Sequence, residues 1–176
     1  DKIKPIDRGE VYEDPLNEFL SRKEYGEVIA AGTMLGESGE LAFCDITIEL
    51  SSDKEDKKIA AEVIEELEKI GTPKGSKLKI ERTKEEIEFG TLEGLAIYLD
   101  GVNLPDEVYQ EADTMFLIKE IRRVANIQSN VIREWTGQIE TGLYFYGKSF
   151  EEMRDSISDL VNVYPLCKGA RVVQIA

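Results

Sequence analysis

The sequence contains no histidine. That absence removes Ser–His and Cys–His nucleophile pairs, histidine-bearing zinc sites and the commonest proton shuttle at neutral pH. It has only two cysteines, Cys44 in an apolar strand-like run and Cys167 in a turn-like stretch. Two are too few for a structural zinc site and make no disulfide framework, so free thiols are expected. A P-loop, a Gly-x-Gly-x-x-Gly turn and a nucleophile elbow are all missing, which leaves nucleotide and hydrolase chemistry without sequence support. The expectation is a protein that is not an enzyme, with no catalytic residue, no cofactor and no metal.

No apolar stretch approaches the roughly 18 to 20 residues that span a bilayer. Asp1 to Glu10 carries charges where a signal peptide is apolar. A chain neither membrane-spanning nor exported, working in the cytoplasm, is therefore expected. Bases are scarce too: 22 Lys and Arg against 36 Asp and Glu leave a formal charge of −14. Such a field repels nucleic-acid phosphates and anionic lipid and attracts a basic protein.

What is present belongs to a folded chain. Hydrophobic residues make up 41% of 176 and charged residues 33%, enough for a real core in one ordinary domain or two small ones. In the second half, Leu92 to Asp100 reads as a buried strand ended by Gly101 and the Asn103-Leu104-Pro105 turn. Asp113 caps a helix with the stripe Leu117, Ile118, Ile121 and Val124. Val131 to Thr136 and Leu143 to Tyr146 follow as a hairpin, bracketed by Gly137 and Gly142. Ser149 to Glu152 then fits a capping box opening a helix with Met153, Ile157, Leu160 and Val161 inward, and Arg171 to Ile175 is the last strand.

The first half reads in nearly the same order. Asp14-Pro15 looks like a helix start, with Leu16, Phe19 and Leu20 as its stripe. Val28 to Leu35 and Leu41 to Leu50 read as a hairpin whose outward face is acidic through Asp45 and Glu49. A second capping box, Ser52 to Glu55, precedes the stripe Ile59, Val63, Leu67 and Ile70, and Lys77 to Ile80 follows as a strand. The turns Lys74-Gly75 and Lys168-Gly169 fall at matching points. These patterns predict an α+β fold of two ferredoxin-like (βαββαβ) halves, residues 1–84 and 85–176, the first lacking its first strand or keeping it in degenerate form. They also predict that Ile121, Leu160, Leu67 and Val63 are buried.

Paired carboxylates such as Glu151-Glu152 and Glu65-Glu66 fall on outward helix faces or in a first turn, where solvation explains them better than acid–base work. Asp100, Asn103, Asp106 and Glu107 crowd a turn with oxygen atoms, but their spacing is not that of an EF-hand. Ala96 to Pro105 looks like the first-strand motif of RNA-recognition domains. The strand around Leu143-Tyr-Phe-Tyr146 lacks the basic start such domains need, so Tyr98, Tyr144, Phe145 and Tyr146 read as sheet packing.

Charge placement is the most informative feature. From Glu85 through Ile118 there are nine acids and no base, interleaved with Leu104, Val108, Tyr109 and Met115. Steering charge beside apolar anchors suits a protein partner, and Asp100, Asp106, Glu107, Tyr109, Glu111 and Asp113 are the expected binding residues. This acidic run, the Gly94 to Pro105 strand and turn, and the lack of catalytic motifs give a profile that resembles bacterial immunity proteins. The resemblance implies an acidic cytoplasmic protein that binds and neutralises a cognate basic toxin or effector. Two alternatives stay open: a small-ligand-binding regulatory module with ferredoxin-like repeats, and an enzyme working with carboxylates and tyrosines alone.

Overall fold

Pro15 has no backbone N–H, and its ring collides with the carbonyl four residues earlier, so an α-helix running through it must break its own ladder. In the computed structural model, which describes residues 1–52 and 55–176, that break is a π turn. Helix α1 (Pro5–Arg8) widens into the π turn at Gly9–Glu13, where the Asp14 N–H donates to the Gly9 carbonyl five residues back. Helix α2 (Asp14–Lys23) follows directly. Asp14-Pro15 is therefore not the helix start that its capping chemistry suggests. Asp14 has helical angles, φ −64° and ψ −50°, and Pro5 holds the favoured first position instead.

The chain divides into two compact units, Asp1–Gly36 with Leu41–Thr91, and Glu37–Glu40 with Leu92–Ala176. In unit one, β1 (Gly26–Leu35) and β2 (Leu41–Leu50) form the expected antiparallel hairpin, and Phe43, Asp45, Thr47 and Glu49 are exposed along one side of β2. Helix α3 (Asp56–Ile70) comes next, closed by Gly71 in the left-handed region at φ 107°. The Ser52 capping box runs through residues 53 and 54, which lie outside the described residues. The helix begins only at Asp56, and Glu55 before it makes no side-chain capping bond.

Strand β3 (Ser76–Ile80) then pairs with β4 (Glu85–Phe89), a strand hidden within the acidic run. This overturns the predicted duplication. Gly75 and Gly169 do share a left-handed turn, φ 77° and 78°, yet among the described residues β1–β2 and β3–β4 are separate two-stranded sheets. A boundary at residue 84 would fall in the turn of the second hairpin. The core of unit one joins Leu16, Phe19 and Leu20 of α2 to Ile59 and Val63 of α3, with Ile46, Ile48 and Leu78 packed on them.

Unit two holds one four-stranded antiparallel sheet in the order β6-β7-β5-β8. Its elements are β5 (Glu93–Asp100), α4 (Asp106–Glu111), α5 (Thr114–Val124), β6 (Arg133–Thr136), β7 (Glu140–Gly147), α6 (Phe150–Val163) and β8 (Arg171–Gln174), with a 3-10 turn at Pro165–Cys167 before the last. The period-2 pattern puts Leu95, Ile97 and Leu99 of β5 on the same side as Leu143 and Phe145 of β7, against Leu117 and Ile121 of α5 and Met153 and Ile157 of α6. Each such side chain contributes roughly 1.5 to 3 kcal/mol by leaving water.

Both predicted caps of unit two form. The Asp113 carboxylate accepts the N–H groups of Met115 and Phe116 at 2.8 and 3.2 Å, and the Ser149 hydroxyl accepts that of Glu152 at 3.3 Å. Ile121 and Val63 are buried as expected, whereas Leu160 and Leu67 are only half-buried. In α6 the deepest positions are Ile157 and Met153, about one and two turns before Leu160. The chain is a mixed α+β protein with small antiparallel sheets.

Candidate functional site

The nine acids between Glu85 and Ile118 are divided between the two units. Glu85, Glu86 and Glu88 lie on β4 in unit one, where Lys57 reaches Glu85 at 2.8 Å and Lys77 lies 3.7 and 3.6 Å from Glu86 and Glu88. In unit two, Glu93 accepts the Phe150 N–H at 2.6 Å, at the positive start of α6. Asp100 accepts the N–H groups of Val102 and Asn103 at 2.9 Å each, which holds its carboxyl below the ordinary carboxylate range and closes the turn after β5. Asp113 is the cap of α5. Asp100 and Asp113 are thus committed to local backbone.

Asp106, Glu107 and Glu111 remain. They sit exposed on α4, with no ion pair among the described residues. Tyr109, on the same short helix, has a hydroxyl that accepts the Leu104 N–H at 3.0 Å and donates to the Asp100 carbonyl at 3.2 Å. Its hydroxyl thereby staples the 100–109 turn, while the residue is 36% exposed. Tyr109 is first a positioning residue for this turn.

Larger apolar exposure lies next to α4. Met115 and Phe116, in the first turn of α5, are 52% and 48% exposed, and Val163 at the end of α6 is 77% exposed. The Phe116 ring stacks on Tyr164 with centroids 5.9 Å apart and an interplanar angle of 26°. Helix α4 packs against the Pro165–Cys167 turn that follows Tyr164, so acids and apolar side chains come to one end of unit two. Sequence reasoning named Met115 but missed Phe116 and Val163. Their signal was an apolar residue off the buried stripe of an amphipathic helix.

The aromatic strands have a different role from the one their RNA-like motif suggests. Tyr98 and Tyr144 both donate to one carboxylate oxygen of Glu40, at 2.8 and 2.9 Å, with their rings edge to face at 6.4 Å. Burial first, and then Glu40, pushes both phenols well above the ordinary tyrosine range. Gly142 makes room for this arrangement, because a Cβ there would meet the Tyr144 hydroxyl at 2.6 Å. The Arg171 guanidinium lies over the Tyr98 ring at 4.6 Å and bonds Glu140 at 2.8 Å.

Among the described residues, no group of three or more acids or cysteines is placed to hold a metal ion, and Asp100 spends its oxygens on the turn. No described helix is long and apolar enough to cross a membrane. No protein-family model, curated protein or solved structure matches the chain.

Proposed function

We propose that this chain is an acidic inhibitor of the immunity-protein kind, which neutralises a basic toxin or effector by docking it on the α4, α5 and α6 end of unit two. The observation that carries this reading is the placement of Asp106, Glu107 and Glu111, without ion-pair partners among the described residues, beside exposed Met115, Phe116 and Val163. Unpaired carboxylates steer a cationic partner into encounter, and desolvation of the apolar side chains then holds it. The reading assigns no catalytic step and no cofactor to the chain, and places it in the cytoplasm with its target. The strand and helix order of unit two supports a ferredoxin-like frame, with α4 inserted before its first crossover helix.

The test uses the full chain to capture a basic protein, followed by surface-plasmon kinetics at two salt concentrations and an assay of that protein's own activity. Replacing Asp106, Glu107 and Glu111 by Ser or Gln should slow association and flatten its salt dependence. Replacing Met115 and Phe116 by Ala should mainly speed dissociation. Unchanged rates in both variants, or a captured protein whose activity persists in the complex, would overturn the reading.

A further inference from the structure

In a chain with a formal charge of −14, the segment from Lys119 to Arg133 runs the other way, with four bases and one acid. Three of those bases, Lys119, Arg122 and Arg123, open on a groove of about 410 Å³ at the C-terminal end of α5. The loop after the helix lines the open groove with Asn126, Gln128 and Asn130. Asn126 turns the chain back with a left-handed φ of 52°, and the Ile127 N–H caps the Arg122 carbonyl at 2.9 Å.

Arg122 is the centre of this arrangement. Its half-buried guanidinium donates to the Ser129 carbonyl and to Asn130 Oδ1, the latter at 2.8 Å. Both acceptors are neutral, and no carboxylate meets Arg122 among the described residues. Burial first, and then the charge of Arg133, lowers its affinity for its proton, so the site holds positive charge against its surroundings. Arg123 shares only an exposed pair with Glu120 at 2.8 Å, and Lys119 has no ion pair among the described residues.

We infer that this groove binds a small organic phosphate, with the phosphoryl group between Lys119, Arg122 and Arg123 and a hydroxyl-bearing remainder against the three amides. A guanidinium fork matches phosphate oxygens, and an ammonium adds a point charge. Side-chain amides both donate and accept, as sugar hydroxyls require. The volume lies toward the lower end of the roughly 300 to 1,000 Å³ of small-molecule pockets. A nucleic-acid polymer would extend beyond this local basic patch into the repulsive field of the whole chain. The groove is separate from the acidic surface proposed to dock a protein.

The experiment is titration calorimetry of the full chain at low salt with ribose 5-phosphate, inorganic pyrophosphate and citrate as probes. Ribose 5-phosphate should give saturable one-to-one heat and bind more tightly than citrate. The exposed double variant Lys119→Gln, Arg123→Gln should weaken it by about tenfold or more. The control variant Lys79→Gln, at a residue outside the groove's lining, should bind as the unaltered chain does. Absence of saturable heat, tighter binding of citrate, or equal binding by the double variant would each overturn the assignment.

Discussion

The Tyr164 hydroxyl grips both polar atoms of one peptide residue, accepting the Asp113 N–H at 3.0 Å and donating to the Asp113 carbonyl at 2.8 Å. The end of α6 thereby fixes the residue that caps α5. Tyr164→Phe keeps the ring against Phe116 and deletes only this grip. It should lower stability by about 1 to 2 kcal/mol in urea unfolding and raise hydrogen exchange at the start of α5. Unchanged exchange at Met115 and Phe116 would mean the cap holds without it.

Truncation along α6 should follow depth rather than sequence pattern. Ile157 is 1% exposed, and Ile157→Ala should cost about 2 to 5 kcal/mol. Half-buried Leu160→Ala should cost roughly half as much, because solvent already reaches the site. Equal losses in denaturant midpoint would place both residues at the same depth.

The phenols bound to Glu40 give the protein an alkaline limit. Their folded-state pKa values lie above the unfolded value of about 10, so the neutral form is favoured in the fold. The associated stability is whole below about pH 10 and is lost as pH rises toward the folded values. Urea midpoints measured from about pH 8 to 11.5 should therefore fall at the upper end. The fall should be shallower in the double variant Tyr98→Phe, Tyr144→Phe, which has no phenol to ionise there. A wild-type midpoint that stays level across the range would contradict the prediction.

The two free thiols should react at different rates. Burial among the core residues of unit two pushes the Cys167 thiol up to about 11, leaving on the order of one part in a thousand ionised near pH 8. Cys44 is half-buried on β2, at the hairpin position opposite Thr33. Iodoacetamide followed by peptide mass spectrometry should find Cys44 modified first and Cys167 only after denaturant is added. Early labelling of Cys167 in native protein would show that its pocket opens.

Most of unit two was legible because several local signals agreed there. Hydrophobic period, the caps Asp113 and Ser149, and the Lys168-Gly169 turn all marked the same element ends. Unit one was harder where one signal masked another. In β4 only Ile87 and Phe89 carry the strand pattern among Glu85, Glu86 and Glu88, so it read as charge. Helix α4 is too short to show a stripe. Asp14-Pro15 has the chemistry of a helix start, yet a π turn lets it sit inside one. The candidate surface was visible in Asp106, Glu107 and Glu111. Commitments such as Asp113 to Tyr164 and Glu93 to Phe150 depend on tertiary neighbours that no local spacing encodes.

Glu40 belongs to the short segment Glu37–Glu40, which lies in unit two while the strands on either side of it lie in unit one. The polypeptide therefore changes unit three times, after Gly36, after Glu40 and after Thr91. Neither unit can be excised as one continuous fragment. A piece beginning at Leu92 would carry Tyr98 and Tyr144 without the carboxylate that accepts their hydrogen bonds, so limited proteolysis near residue 91 should leave two fragments that stay associated until denatured.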